Sequence, residues 1–378
     1  MYLDNAATTP VRREVIEAMM PYWRGTFGNP SSHHEVGEQA ASALADARAR
    51  VAAVLGVRAG DVIFTSGGTE GNNLAVKGIS LGAMLARGRR HVVTTAVEHE
   101  SILESVAALE RLHGFEATIL DVDGVGRVST DAVAASLRED TALVTLGYAN
   151  NETGTVQDVR AIAAVTAAAR VPLHLDAVQA AGWLPLSGTG ADAITIAGHK
   201  LGAPKGIGAA AIRGRLPVEP ILHGGGQERG RRSGTEDVAG AVGLATALEL
   251  AEAERAASAS RVGAARDEFV AAVLAAVPSA ALTGHPVERL PATASFTFAG
   301  TSGEAVLLEL ERRGIVSSSG SACAAGSDEP SHVLVAMGIA PEVAQTAVRF
   351  TFPHDLAVDL GPVAEAVAAS VAAVRSAT

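Results

Sequence analysis

Between Asp61 and Ile212 the chain repeats one pattern: a short apolar run, a turn, then a longer stretch with helical spacing. The runs Val62–Thr65, His91–Thr94, Ala117–Leu120, Ala142–Leu146, Leu173–Asp176, Ala193–Ile196 and Gly208–Ile212 predict strands, and Gly71–Leu85, Ser101–Leu112 and Val159–Ala169 predict helices between them. Strands alternating with helices specify an α/β domain with a mostly parallel sheet. Ligands of such sheets bind outside the carboxyl ends of the strands. Chemistry is therefore expected just after each run.

The remainder reads differently. Thr235 to Ala276 predicts one or two helices leaving that domain, Ala294–Phe298 and Val348–Phe352 alternate with period two, and Glu304–Arg313 and Gly361–Arg375 are helical. This second unit is α+β and smaller. With 378 residues, 48% of them hydrophobic, two domains are expected. We place the large one at residues 14–257 and assemble the small one from 1–13 and 258–378. A formal net charge of −11 argues against direct nucleic-acid binding, which needs a basic footprint. The arginines of Glu228-Arg229-Gly230-Arg231-Arg232 read as a solvated turn. No secretory signal is visible after Met1, and the apolar stretches near Val270 and Val363 are interrupted by Pro278, Pro362 and Glu365, so no membrane span is expected. The single cysteine, Cys323, rules out an intrachain disulfide, which fits a cytoplasmic protein.

The strand ends deliver polar groups in order. Ser66-Gly67-Gly68-Thr69-Glu70-Gly71 opens a helix, where free N–H groups and the helix dipole favour an anion such as phosphate. Then come Ala96-Val97-Glu98-His99, Tyr148-Ala149-Asn150-Asn151-Glu152-Thr153-Gly154, Asp176-Ala177-Val178-Gln179 and Ala197-Gly198-His199-Lys200. Any one could be a cap or a turn; five on one rim are hard to read that way. A lysine among small residues at a strand end can be desolvated, which frees its amine. A pyridoxal-phosphate site needs that lysine, an acid for the pyridine nitrogen and an anion hole. Lys200, Asp176 and the Gly67–Thr69 turn fit.

Those motifs, with Tyr2-Leu3-Asp4-Asn5-Ala6-Ala7-Thr8-Thr9-Pro10, Gly28-Asn29-Pro30-Ser31-Ser32, His223-Gly224-Gly225-Gly226-Gln227-Glu228-Arg229-Gly230, Arg232-Ser233-Gly234-Thr235, Ser318-Ser319-Gly320-Ser321-Ala322-Cys323 and Val348-Arg349-Phe350, span nearly the whole chain. Together they resemble the cysteine desulfurases, fold-type I pyridoxal-phosphate enzymes of the class V aminotransferase superfamily. The resemblance implies that Lys200 holds pyridoxal 5'-phosphate as a Schiff base and that Asp176 pairs with its ring nitrogen. Gln179 and Asn151 would lie at the ring's phenolic oxygen, and His99 would stack on the ring and assist proton transfer. Gly68, Thr69 and His199 would hold the phosphate, Thr235 would reach the partner subunit's phosphate, and Arg349 and Asn151 would meet the substrate. Arg349 suits a carboxylate because its planar fork binds two oxygens at once. On an alternating strand it also faces away from Phe350 and Phe352.

A lone cysteine is usually a small buried hydrophobe. Cys323 instead lies among small and polar residues, Gly320 to Ser327, in a motif resembling the family's sulfur-accepting loop. The following Glu329-Pro330-Ser331-His332-Val333-Leu334 resembles the group with a long mobile loop. The resemblance thus implies conversion of L-cysteine to L-alanine with sulfur left on Cys323 as a persulfide. It also implies a homodimer and an acceptor protein, an iron–sulfur scaffold or a transfer-RNA thiolation factor. Selenocysteine lyase or class V aminotransferase activity shares the same machinery, and a non-catalytic sulfur-delivery scaffold would have lacked Lys200, Asp176 or Cys323.

The chain departs from the family's pattern twice, with Ala197 where a phosphate-binding serine is common and Gly68 where alanine is usual. Other signals carry less. Gly206-Ile207-Gly208-Ala209-Ala210-Ala211 formally matches a dinucleotide fingerprint but precedes a strand-like run instead of a helix. His174 and Asp176 could share a strand face, yet no third ligand at suitable spacing makes a metal site. His33-His34 reads as loop.

Overall fold

The computed structural model describes residues 1–320 and 329–377. The expected strands form: β1 Val62–Thr65, β2 His91–Thr95, β3 Glu116–Leu120, β4 Thr141–Gly147, β5 Leu173–Asp176, β6 Ala193–Ala197 and β7 Gly208–Ile212. They make one sheet in the order β1-β7-β6-β5-β4-β2-β3. From β6 through β3 all neighbours are parallel, and only β7 runs antiparallel to both of its neighbours. β1 therefore points the same way as β2 to β6. All six carboxyl ends open on one rim, as the alternation of the sequence requires. The Gly206–Ala211 segment is turn and strand, with no helix start, so its glycine spacing builds no dinucleotide turn.

The second sheet is antiparallel, β10-β9-β8, built from β8 Ala280–Leu282, β9 Thr293–Phe298 and β10 Ala347–Thr351. Its apolar face holds Phe296, Phe298, Phe350 and Phe352. Phe269 stands edge-on to three of those rings, with centroids at 6.0 Å from Phe296, 5.2 Å from Phe350 and 5.6 Å from Phe352. Edge-to-face packing suits the ring quadrupoles.

Phe269 lies on a single 39-residue helix, Val238–Ala276, where one or two helices were expected. Asp237 caps its start by accepting from the Gly240 N–H at 2.9 Å. Leu244 and Leu248 near its beginning pack into the core of the large sheet, whereas Val262, Phe269 and Val273 pack into the phenyl cluster. One rigid rod thus ties both cores together. It packs against the helix Glu35–Leu55, which the sequence reading passed over. His34 caps that helix through Nδ1, accepting from Gly37 N–H at 3.2 Å, so it serves the backbone.

The basic turn expected to be solvated is built inward. Glu228 is buried and receives both ends of the Arg48 guanidinium at 2.5 and 2.7 Å, while Arg232 pairs with Glu70 at 2.7 Å. The charge pattern hid this because the partners lie more than 150 residues away.

Phe269→Ala should lower unfolding stability by about 3–5 kcal/mol, the usual loss for deleting a buried phenyl ring. Denaturant unfolding followed by circular dichroism checks it; a loss below 1 kcal/mol would mean the two cores are not fastened through this ring.

Candidate active site

A cleft of about 510 Å³ opens at the carboxyl rim, lined by Lys200, Asp176, Gln179, Asn151, His99 and Arg349 among others. These side chains come from the ends of β6, β5, β4 and β2 and from β10 of the small sheet. A cavity of about 590 Å³ opens on the other side of Lys200, where the Arg12–Glu254 pair and the stacked rings of Trp183 and His354 lie. The ionisable groups that suit cofactor chemistry gather in the first.

Lys200 follows β6 through one 3₁₀ turn, Gly198–Lys200. Its ammonium donates to the main-chain carbonyls of Ala6 and of Ala7, the latter at 2.8 Å. Gln179 donates to the same Ala6 oxygen at 3.0 Å. The N-terminal segment thus holds the lysine over the sheet. Asp176, the last residue of β5, is fixed at both oxygens: Oδ1 accepts from Val178 N–H at 2.9 Å and Oδ2 from Asn72 Nδ2 at 2.7 Å. Each oxygen keeps acceptor capacity for a further donor.

His99 is the N-cap of the helix Glu100–His113, and its Nδ1 accepts from the Ser101 N–H at 3.0 Å. Just before it, Glu98 is buried, with Thr95 Oγ1 donating at 2.6 Å and Gly147 N–H at 2.6 Å. Burial pushes its carboxyl up to about 8, and the nearby negative charge of Asp176 adds to the rise. At neutral pH Glu98 is therefore mostly protonated, and Asp176 is spared a second full charge beside it. Glu152, held by the Ser331 hydroxyl at 2.5 Å, is likewise raised above the ordinary carboxyl range by burial.

Arg349 is 1% exposed and already engaged. Nη2 pairs with Asp4 at 2.7 Å, Nη1 donates to the carbonyls of Asn151 at 2.8 Å and Gly320 at 3.2 Å, and Nε has no partner among the described residues. Phe350 beside it points into the phenyl cluster, as alternation along the strand predicts.

Gly68, Thr69, His199 and Thr235 are not among the described residues that line this cleft. Gly68 and Thr69 start the helix Gly68–Asn73 after β1. A Cβ on Gly68 would come within 2.7 Å of Val178 Cγ2 and 3.4 Å of Ala197 Cβ. The chain's two departures from the family pattern are thus neighbours in space. His199 is anchored to Thr8 Oγ1 at 3.2 Å; burial and the adjacent Lys200 and Lys205 pull its imidazole down to about 4, so it is neutral at pH 7. Thr235 is exposed. Cys323 lies outside the described residues. His174 is fully buried between Thr145 Oγ1 at 2.8 Å and Thr195 Oγ1 at 3.0 Å, with burial pulling it to about 3. Both its ring nitrogens are taken by threonine hydroxyls, so it shares no ligand set with Asp176. No group of His, Cys, Asp and Glu able to hold a metal occurs among the described residues. Among them, too, no helix is long and apolar enough to cross a membrane.

Two residues at the site escaped the sequence reading, Asn72 and Ser101. Gly71 explains Asn72's reach: a Cβ there would stand 2.6 Å from Thr195 Cγ2, so glycine lets the helix press onto β6. Ser101, two residues after the N-cap histidine, was legible as a capping position only once His99 was known to cap.

A family model described as Aminotransferase class-V matches residues 1–356. The cysteine desulfurase IscS of Dictyoglomus turgidum is 42% identical over 353 residues, 93% of this chain and 89% of that protein. Among solved structures, a NifS-like protein superposes with a TM-score of 0.88 at 33% identity, covering 100% of this chain and 98% of its own. SspA, solved in complex with cysteine, gives a TM-score of 0.80 at 33% identity over 93% of this chain and 98% of its own. The chain belongs to the class-V aminotransferase family, whose fold-type I members depend on pyridoxal phosphate, and within it to the cysteine desulfurases. The donor set fits that cofactor. An amine and a carboxylate with spare acceptor capacity face one cleft.

Glu98→Gln gives a pH test. A carboxyl raised to about 8 in the fold stabilises it fully below its unfolded value near 4.5, and that contribution is lost as pH rises through 8. The amide removes this dependence. Wild type and Glu98→Gln should be similarly stable near pH 5, and the variant should be more stable at pH 9, by on the order of 3 kcal/mol. Denaturant midpoints at both pH values measure it; a variant that loses stability at pH 9 would place a needed negative charge on Glu98.

Proposed function

We propose that this chain removes sulfur from L-cysteine, leaving L-alanine and a persulfide on Cys323. The observation that carries the reading is the meeting of Lys200, Asp176 and Arg349 in one cleft at the carboxyl rim. Bound there, pyridoxal phosphate supplies an electron sink for negative charge at the substrate's α-carbon. Lys200 would hold it, Asp176 would keep its ring nitrogen protonated, Asn151 and Gln179 would flank its phenolic oxygen, and Gly68, Thr69 and His199 would bind its phosphate.

The protein's own groups divide the remaining work. Arg349 grips the substrate carboxylate, its Nε, without a partner among the described residues, giving it a further donor. Lys200 takes the α-proton once substrate is bound, its carbonyl partners at Ala6 and Ala7 holding the amine in place. His99 closes one face of the site and moves protons at its Nε2. The Cys323 thiolate, the reactive form of the side chain, accepts the substrate's sulfur. The balance is cysteine plus thiol giving alanine plus persulfide. The complex of SspA with cysteine supports the choice of substrate.

The finer picture belongs to the same reading. Two copies would form a homodimer in which the exposed Thr235 reaches the partner's phosphate site. An acceptor protein for iron–sulfur assembly or transfer-RNA thiolation would take the persulfide, in the cytoplasm. The division into residues 14–257 and a small domain of 1–13 and 258–378 would fall within the continuous helix Val238–Ala276.

Three measurements test this. Borohydride reduction and peptide mapping should find the pyridoxyl group on Lys200, and a label elsewhere refutes the assignment. Cys323→Ala should bind cofactor and shift its absorbance on adding cysteine, yet release alanine at least 100-fold more slowly; turnover at the wild-type rate would sink the mechanism. Sedimentation of Thr235→Ala and wild type should show a dimer for wild type with tighter cofactor retention, and a fully active wild-type monomer would exclude a shared site.

A further inference from the structure

Asn72 is 2% exposed, and its amide nitrogen donates in two directions, to Asp176 Oδ2 at 2.7 Å and to Ser101 Oγ at 2.9 Å. Ser101 Oγ stands in turn 2.9 Å from Nδ1 of His99. Turning the amide over would set its oxygen against the Asp176 carboxylate, acceptor facing acceptor, so its direction is forced. That direction leaves Asn72 Oδ1 buried with no partner among the described residues. A buried orphan acceptor calls for an explanation, and the two bonds made by the nitrogen supply it.

The direction propagates. Ser101 Oγ accepts from Asn72, so its own hydrogen is left to donate to His99 Nδ1. The Ser101 main-chain N–H already donates there at 3.0 Å. Two donors converge on one ring nitrogen, and a hydrogen on Nδ1 would meet both head-on. Nε2 makes no hydrogen bond among the described residues, and the ring lines the cleft.

We propose that Asn72 and Ser101 are positioning residues that tie His99 to Asp176 and hold its imidazole as the Nε2–H tautomer, a donor toward the cleft. His99 then enters the reaction as a proton donor at Nε2, and its orientation answers to the same carboxylate that serves the cofactor. The proposal rests on the roles given above to His99 and Asp176. The tautomer, however, can be read without them.

The test uses the full-length protein, first cofactor-free and labelled with ¹⁵N-histidine. Long-range proton–nitrogen spectra at pH 8, where an ordinary imidazole is neutral, should put the His99 hydrogen on Nε2 in wild type. Asn72→Ala and Ser101→Ala should each show a measurable Nδ1–H fraction, and Ser101→Thr, which keeps the hydroxyl, should match wild type. In the holoenzyme Ser101→Ala should lower kcat about tenfold, the worth of one hydrogen bond, with KM for cysteine within about twofold. Ser101→Thr should recover most of that turnover. A wild-type hydrogen on Nδ1 overturns the proposal. So does an unchanged tautomer in both alanine variants, even with slower turnover, because lost packing alone would explain that. Full activity in His99→Gln beside the expected tautomers would count against the role of His99 in the proposed function and leave the linkage supported.

Discussion

The parallel register of the central strands governs everything at the cleft. Gly147 of β4 lies opposite Asp176 of β5, and Asp176 opposite Thr195 of β6. The main chain continues the pairing past the strand ends, with Tyr148 N–H bonded to the Asp176 carbonyl at 2.8 Å and Ala177 N–H to the Thr195 carbonyl at 2.9 Å. Side chains alternate along a strand, so a slip of one residue would turn Asp176 to the opposite face and bring no other carboxylate in its place. The same register sets Gly147 where its N–H meets Glu98, and starts the 3₁₀ turn that raises Lys200.

The site also gathers several carboxyl groups around one cleft. Asp176, Glu98 and Glu152 surround a cleft whose cations are Lys200 and Arg349. Burial eases the conflict by raising both Glu98, to about 8, and Glu152, since an uncompensated buried charge is more costly than a neutral acid. Asp176 is met by two donors, the Val178 N–H and the Asn72 amide. Arg349 is balanced by Asp4, contributed from the other end of the chain. The N-terminal segment therefore serves both halves of the site, bonding Lys200 through its carbonyls and Arg349 through its carboxylate.

Much of this was legible in the amino-acid order. Short apolar runs between stretches of helical spacing located all the strands of the large sheet, because burial on both faces of a parallel sheet demands such runs. The rule that ligands meet such sheets at their carboxyl ends then pointed to Lys200, Asp176 and His99, and the cleft brings them together with Gln179, Asn151 and Arg349. The small strand Ala280–Leu282 and the helix Glu35–Leu55 were passed over, the former for its brevity and the latter because its alanine-rich face carries little periodic contrast.

Side-chain chemistry was set by order along the chain; which groups face one another was not. Lys200, three residues beyond the end of β6 at Ala197, announces itself locally because small neighbours and a strand end are local facts. The links Asp176 to Asn72 to Ser101, Arg349 to Asp4, and Arg48 to Glu228 join residues far apart in sequence, and nothing in either segment marks the other. They depend on how closely a helix presses on a strand, as Gly71 does on Thr195, and on where the two sheets meet. Hydrogen bonds act over a few ångströms, so the tertiary structure alone decided which of these groups pair, which way the Asn72 amide points and which nitrogen of His99 is left to face the cleft.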